Sequence, residues 1–193
     1  MTTAPKSRWL LGEWLIEHDI IQTGRAAEIG TMNGWFASDL LNQSSIEKLY
    51  CIDCWRWVEF WQDNINAHKN EQADRMRKCF ERLYQYGKRA VMIREMSEDA
   101  AWLFQDGSLD ICYIDANHSE AECYNDICLW APKVRSGGIL AGHDYVDGWR
   151  ETNQCEFGVK TAVDRWAKEN NYEIMVSDCD DSPHEPSWFL QVR

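Results

Sequence analysis

The segment CYIDANHSEAECYNDICLWAPKVRSGGILAGHDY, residues 112–145, carries Asp115, His118, His143 and Asp144 at the ends of two apolar runs. If those runs are neighbouring strands, the two carboxylates come close together. Left bare, they repel, and one of them takes a proton. A hard divalent ion such as Mg²⁺ relieves the repulsion, because it binds one or two carboxylates plus waters and substrate oxygens. Such an ion also acidifies a hydroxyl bound to it. A nearby imidazole can take the proton released. His118 is therefore the candidate general base, and Asp115 and Asp144 are candidates to hold a metal or to orient the hydroxyl directly. His143 directly precedes Asp144, so in a continuing strand its side chain points to the opposite face. Its choice between substrate binding and packing stays open. The plainer alternatives are a loop or helix cap for Asp115 and an N-cap neighbour for His118. A shared strand edge favours function over capping.

A second group of residues surrounds the turn AEIGTMNGWFA. Gly30 and Gly34 let backbone approach a ligand closely. The spacing is G-x-x-x-G, with Met32 in the place of the middle glycine of the dinucleotide fingerprint, so pyrophosphate binding is disfavoured. Asp53 ends the next strand, where a carboxylate can accept hydrogen bonds from a ribose diol.

The elements that must position these residues alternate. Strands are expected over 25–30, 48–53, 89–95, 109–115 and 137–144, with helices over 35–43, 71–86, 97–104, 120–132 and 157–170. Ser7 caps an N-terminal helix over 7–19, and Ser97 caps the helix that it begins. Ala73, Met76, Phe80 and Leu83 share one face of the 71–86 helix. Ala121, Tyr124, Ile127 or Cys128, and Ala131 share one side of the 120–132 helix. The segments YEIMVSD and SWFLQV close the chain as an antiparallel pair. Alternating β and α with short apolar strands implies an α/β fold: a Rossmann-like, doubly wound, mostly parallel seven-stranded sheet with helices on both faces. In such sheets ligands bind beyond the carboxyl ends of the strands. Glu28 to Gly30, Asp53, Glu95 to Ser97, Asp115 and His143-Asp144 all fall on that edge.

The expected organisation is one domain over 1–193, with residues 1–24 as an N-terminal helical extension and 54–72 as an insertion. The insertion holds Trp55, Trp57, Phe60 and Trp61, and is too long for a simple βα turn, so it reads as a lid or substrate wall, or as a surface segment packed on the body. His18, His68 and His184 are isolated and read as structural or surface histidines.

Composition narrows the partners. The net charge of -12 and the absence of a long basic run make nucleic acid an unlikely ligand, since its binders neutralise phosphates with Lys and Arg. No apolar run reaches the ~18 residues that a membrane span needs. The N-terminal stretch lacks an apolar core followed by a cleavage site, so no signal peptide is expected, and the location is read as cytoplasmic. The eight cysteines are then read as reduced thiols, with Cys112, Cys123 and Cys128 serving as small apolar residues. Cys51 and Cys54 form a CxxC with no second ligand pair at zinc spacing.

Together these residues resemble the class I S-adenosylmethionine-dependent methyltransferases. More narrowly, the chain is similar to a small family marked by Glu28-Ile29-Gly30, Asp53-Cys54-Trp55, Asp106 to Asp110, Ile114 to Glu120, Asp126, Trp130 to Lys133, Gly137 to Tyr145, Gly158-Val159 and Ala162 to Asp164. The resemblance runs over residues 25 to 193. It implies that Glu28, Gly30, Thr31 and Gly34 line the methionine end of the cofactor, that Asp53 holds the ribose, and that Met96 and Ser97 border the adenine. Trp55 would pack nearby, and Asp115 would reach the cofactor as well as the acceptor. The chain also resembles metal-dependent sugar and catechol O-methyltransferases. That likeness implies catalysis by His118 and Asp115, with Mg²⁺ at Asp115 and Asp144. The third acidic ligand of the sugar enzymes has no counterpart in this sequence.

The implied function is O-methylation of a hydroxyl on a small molecule or sugar, with no membrane partner and with a homo-oligomer left open. Two alternatives stand beside it: an NAD(P)-binding oxidoreductase and a catalytically inactive cofactor-binding module.

Overall fold

The computed structural model describes residues 3–66, 69–178 and 185–193. His68 and His184 lie outside the described residues. The apolar runs form parallel strands β1 (Arg25–Ile29), β2 (Lys48–Asp53), β3 (Ala90–Arg94), β4 (Leu109–Ile114) and β5 (Val134–Gly142). After them come the hairpin strands β6 (Asp147–Arg150) and β7 (Cys155–Gly158), then β8 (Met175–Val176) and β9 (Trp188–Gln191). Strand β9 runs antiparallel to both β5 and β8. Among the described residues, seven strands form one sheet in the order β3-β2-β1-β4-β5-β9-β8. This is the doubly wound, mostly parallel arrangement expected from the alternation of elements.

Helices α1 (Leu11–Glu17), α2 (Trp35–Gln43) and α3 (Lys69–Leu83) cover one face, and α4 (Ser97–Ala101), α5 (Glu120–Trp130) and α6 (Val159–Glu169) cover the other. Central strand β4 is buried at every position. Its alternate side chains divide between the faces: Ile111 and Tyr113 join the core under α1–α3, and Cys112 and Ile114 join the core under α4–α6. A strand buried on both sides reads as a continuous apolar run, which is why β4 was legible.

Several local expectations are corrected. The N-terminal helix is a 3₁₀ turn, Arg8–Leu10, followed by α1; Ser7 caps that turn by accepting from the Trp9 amide at 3.2 Å. On α3 the buried stripe is Gln72, Cys79 and Leu83, with Ala73 and Phe80 turned to solvent. On α5 it is Cys123, Asp126, Ile127 and Trp130. Trp130 sets the phase of that helix, so Ala121 and Cys128 face outward and Cys128 is not a core thiol. Ser97 does not cap α4: its hydroxyl donates to Asp126 and accepts from the Trp130 indole at 2.9 Å. Residues 157 and 158, expected in a helix, instead end the antiparallel hairpin β6–β7. Its four-residue strands were too short for alternation to register. Among the described residues no helix is long and apolar enough to cross a membrane.

Candidate active site

The site is built where the β strands end. Past β1, Gly30 has φ +91°, and a Cβ there would lie 1.8 Å from the Asp115 carbonyl oxygen. Only glycine allows the ends of β1 and β4 to approach this closely. The Asp115 amide donates to the Ile29 carbonyl at 2.7 Å, which pins Asp115 to β1. At the end of β5, a Cβ on Gly142 would lie 2.5 Å from the Ile114 carbonyl and 2.6 Å from the Trp188 ring. Beyond it the His143 amide donates to Ile114 at 3.0 Å, and Asp144 turns left-handed at φ +52°. Aspartate tolerates that conformation better than most residues. Strand alternation stops at Gly142, so His143 and Asp144 face the same cluster. This corrects the expectation that His143 points away.

The cluster is compact. Asp144 Oδ2 lies 3.0 Å from His118 Nε2 and 3.2 Å from His143 Nδ1. Asp115 Oδ1 lies 3.6 Å from His118 Nε2. Asp115 Oδ2 lies 4.0 Å from His143 Nδ1 and 3.0 Å from Arg8 Nη1. Asp63 Oδ2 stands 3.1 Å from His118 Nδ1. His118 Nε2 is buried and makes no aligned hydrogen bond to either neighbouring carboxylate. Burial alone would depress the His118 pKa, but Asp115, Asp144 and Asp63 raise it well above its ordinary value. His143 is likewise raised against burial, chiefly by Asp144 and Asp115. Despite burial, the two imidazoles hold Asp144 far below the usual carboxylate range. His118, His143 and Arg8 lower Asp115 in the same way. Three carboxylates thus face two imidazoles and one guanidinium.

Arg8 and Asp63 were not foreseen. Arg8 lies 107 residues from its partner Asp115, and Asp63 sits in the aromatic insertion, so neither carries a local signal. Ligand atoms of Asp115, His118 and Asp144 lie within 4.8 Å of one another, a spacing that one divalent cation can span.

The Gly turn forms the other half of the site. Asp53 accepts the Met32 amide at 2.8 Å and the Trp55 amide at 2.7 Å, which leaves lone pairs on both oxygens for a ligand. Trp55 is 1% exposed and donates its indole N–H to the Met32 carbonyl at 2.8 Å. It braces the turn from the core and does not line the cavity, contrary to expectation. Glu28 and Thr31 are also buried behind the turn. Burial, helped by the charges of Asp115 and Asp53, pushes the Glu28 pKa to about 8. At Gly34, φ is +73° and a Cβ would lie 2.9 Å from the Cys79 sulfur, so this glycine serves packing against α3.

One cavity of about 440 Å³ is lined by Asp53, Met96 and Ser97 and by Asp115, His118, His143 and Asp144, with Gly30 where the two groups meet. Glu28, Thr31, Gly34 and Trp55 stand behind it. Other motif residues serve as struts. The Tyr145 hydroxyl donates to Asp164, fixing the turn after Asp144 to α6. Asp110 accepts the Thr23 hydroxyl at 2.6 Å and Arg135 Nε at 2.7 Å.

A family model described as a methyltransferase domain matches residues 27–145, more than half of the chain. Among solved structures, a protein from Corynebacterium glutamicum aligns with a TM-score of 0.68 at 13% identity, covering 100% of this chain and 82% of that chain. The O-methyltransferase from Bacillus cereus in complex with SAH aligns at 0.64 and 15% identity, over 98% and 82%. An rRNA methylase from Streptococcus thermophilus aligns at 0.60 and 14% identity, over 92% and 94%. At such identities the likeness is one of fold. No curated protein matches the sequence. The chain belongs to the methyltransferase-domain family, with the Rossmann-like architecture of the class I methyltransferases.

Proposed function

We propose that the protein transfers a methyl group from S-adenosylmethionine to a hydroxyl oxygen of a small molecule or sugar. The observation that carries this reading is the single cavity that joins the Gly30–Asp53–Met96–Ser97 cradle to the Asp115–His118–Asp144 cluster. When bound, the sulfonium supplies an electrophilic methyl carbon, which an oxygen nucleophile takes as sulfur leaves with the C–S electron pair. Gly30 admits the amino-acid portion by lacking a side chain. Asp53 accepts from the ribose hydroxyls, and Met96 and Ser97 flank the adenine. Asp115 and Asp144 orient the acceptor hydroxyl, and His118 Nε2 takes its proton. A divalent cation would be held by Asp115 and Asp144 and would supply Lewis-acid acidification of the acceptor oxygen.

The family assignment and Met32 in the Gly turn favour this reading over a nicotinamide enzyme. The net charge of -12 supports a small-molecule acceptor over RNA. The seven described cysteines are all free thiols, which suits a cytoplasmic site of action. Residues 54–72 act as a lid on one catalytic domain, with residues 1–24 as an extension that brings Arg8 to Asp115. A homo-oligomer is compatible with this arrangement.

Calorimetric titration with S-adenosylmethionine and with NAD tests the reading. Heat with the first and none with the second is expected. His118→Ala should keep that heat and lose methyl transfer across a panel of hydroxyl acceptors. Equal turnover by wild type and variant would remove the base assignment.

A further inference from the structure

Neutral histidine has two tautomers, and a hydrogen-bond acceptor on one ring nitrogen decides which nitrogen stays free. At His118 the acceptor comes from an unexpected place. Asp63 belongs to the insertion between β2 and α3, yet its Oδ2 lies 3.1 Å from His118 Nδ1. The carboxylate is itself fixed. Its Oδ1 accepts the Ile65 amide at 2.8 Å, and Asn153 Nδ2 lies 3.2 and 3.3 Å from its two oxygens. Asn153 sits between β6 and β7, and its carbonyl accepts the Asn64 amide at 2.9 Å. The insertion and the hairpin are thus tied together at this point.

The hairpin also fixes the ring plane. Phe157 stacks on the His118 imidazole with centroids 4.2 Å apart at 11°, and the Gly158 amide donates to the His118 carbonyl at 2.8 Å. With Phe157 on its face and Asp63 at its edge, the ring has one orientation. Nε2 is left to face Asp115 and Asp144: Asp144 Oδ2 stands 3.0 Å away, but neither carboxylate is aligned to accept a hydrogen from Nε2, whereas Asp63 is aligned to accept one from Nδ1.

We propose that Asp63 is the positioning residue of His118, keeping the ring hydrogen on Nδ1 so that Nε2 is the working nitrogen, with Asn153 holding Asp63 in place. The assignment rests on the reading of His118 as the base. It makes the insertion part of the catalytic machinery, because the base has its correct tautomer only while the insertion is tied to the hairpin.

The test is nitrogen NMR on ¹⁵N-histidine-labelled full-length protein with S-adenosylhomocysteine, at a pH where the ring is neutral. His118 is assigned by the signals that vanish in His118→Gln. The wild type should show the hydrogen on Nδ1. Asp63→Asn should shift it to Nε2 or to a mixture, and Asp63→Glu should restore it. Asn153→Ala should give a partial shift, and serves if Asp63→Asn does not fold. Unchanged His118 nitrogen shifts in Asp63→Asn or Asn153→Ala would overturn the proposal. Absence of binding heat with S-adenosylmethionine would instead sink the methyl-transfer reading, so the two failures are distinguishable.

Discussion

Asp144 Oδ2 lies within 3.2 Å of ring nitrogens on both His118 and His143, so one carboxylate gathers two imidazoles. The price of this is a base that holds its own proton tightly. The surrounding carboxylates raise the His118 pKa well above 6.5, against the effect of burial. Proton abstraction needs the neutral ring, so kcat/KM should rise with pH through a midpoint above 6.5 and flatten once the ring is deprotonated. His118→Ala should lower turnover by about 10²–10⁴-fold and abolish the rise. A flat profile from pH 6 upward in the wild type would exclude His118 as the titrating base.

The carboxylate pair also bears on metal dependence. Donor atoms of Asp115 and Asp144 lie within 4.8 Å of one another, close enough to share one ion while His118 keeps Nε2 for the proton. Arg8 already offsets part of the charge at Asp115. Treatment with a chelator should lower turnover by tenfold or more on the order expected for a lost Lewis acid, and Mg²⁺ should restore it. Asp144→Asn should remove the Mg²⁺ response while leaving S-adenosylmethionine heat within about twofold, since Asp144 stands at the acceptor end. Full activity in the presence of chelator would leave Asp115 and Asp144 as direct hydroxyl-orienting groups.

Gly30 is the point where cofactor cradle and catalytic cluster meet. A methyl group there would lie 1.8 Å from the Asp115 carbonyl, and φ is +91°. Gly30→Ala must therefore push the β1 and β4 ends apart. A loss of about 3 kcal/mol or more in stability is expected, together with loss of cofactor heat. Chemical denaturation against the wild type measures the first, and calorimetry the second. A variant of wild-type stability would mean that the two strand ends do not cross as closely as described.

Much of this arrangement was legible in the sequence, for physical reasons. Strands β1, β2, β4 and β5 are buried on both faces, so they appear as apolar runs, and the residues that follow them fall on one edge by topology alone. Asp115, His118 and Asp144 were found in this way. Asp63 and Arg8 were not, because each reaches the cluster through long-range packing of an irregular segment. Alternation carried past Gly142 turns His143 away from the cluster, whereas the left-handed turn at Asp144 brings it in. Trp55 was assigned to the cofactor from its position beside Asp53. Its near-complete burial follows from the close fit of the Gly turn, which a linear pattern does not encode.

Glu28 gives a prediction independent of catalysis. In the fold its pKa is about 8, set mainly by burial, against 4.5 for an ordinary carboxyl. Below 4.5 both folded and unfolded chains carry the proton, and the contribution to stability is complete. Between 4.5 and about 8 the unfolded chain releases the proton and the folded chain keeps it, so stability falls as pH rises. Above that range the loss is complete, on the order of 5 kcal/mol. Glu28→Gln is close in shape and stays neutral at every pH. Its melting temperature should therefore differ little from the wild type near about pH 5 and exceed it near about pH 9. The difference between the two curves isolates this residue from the other titrating groups. Parallel curves across that range would show that Glu28 is ionised in the fold, with a counter-charge that the burial argument leaves out.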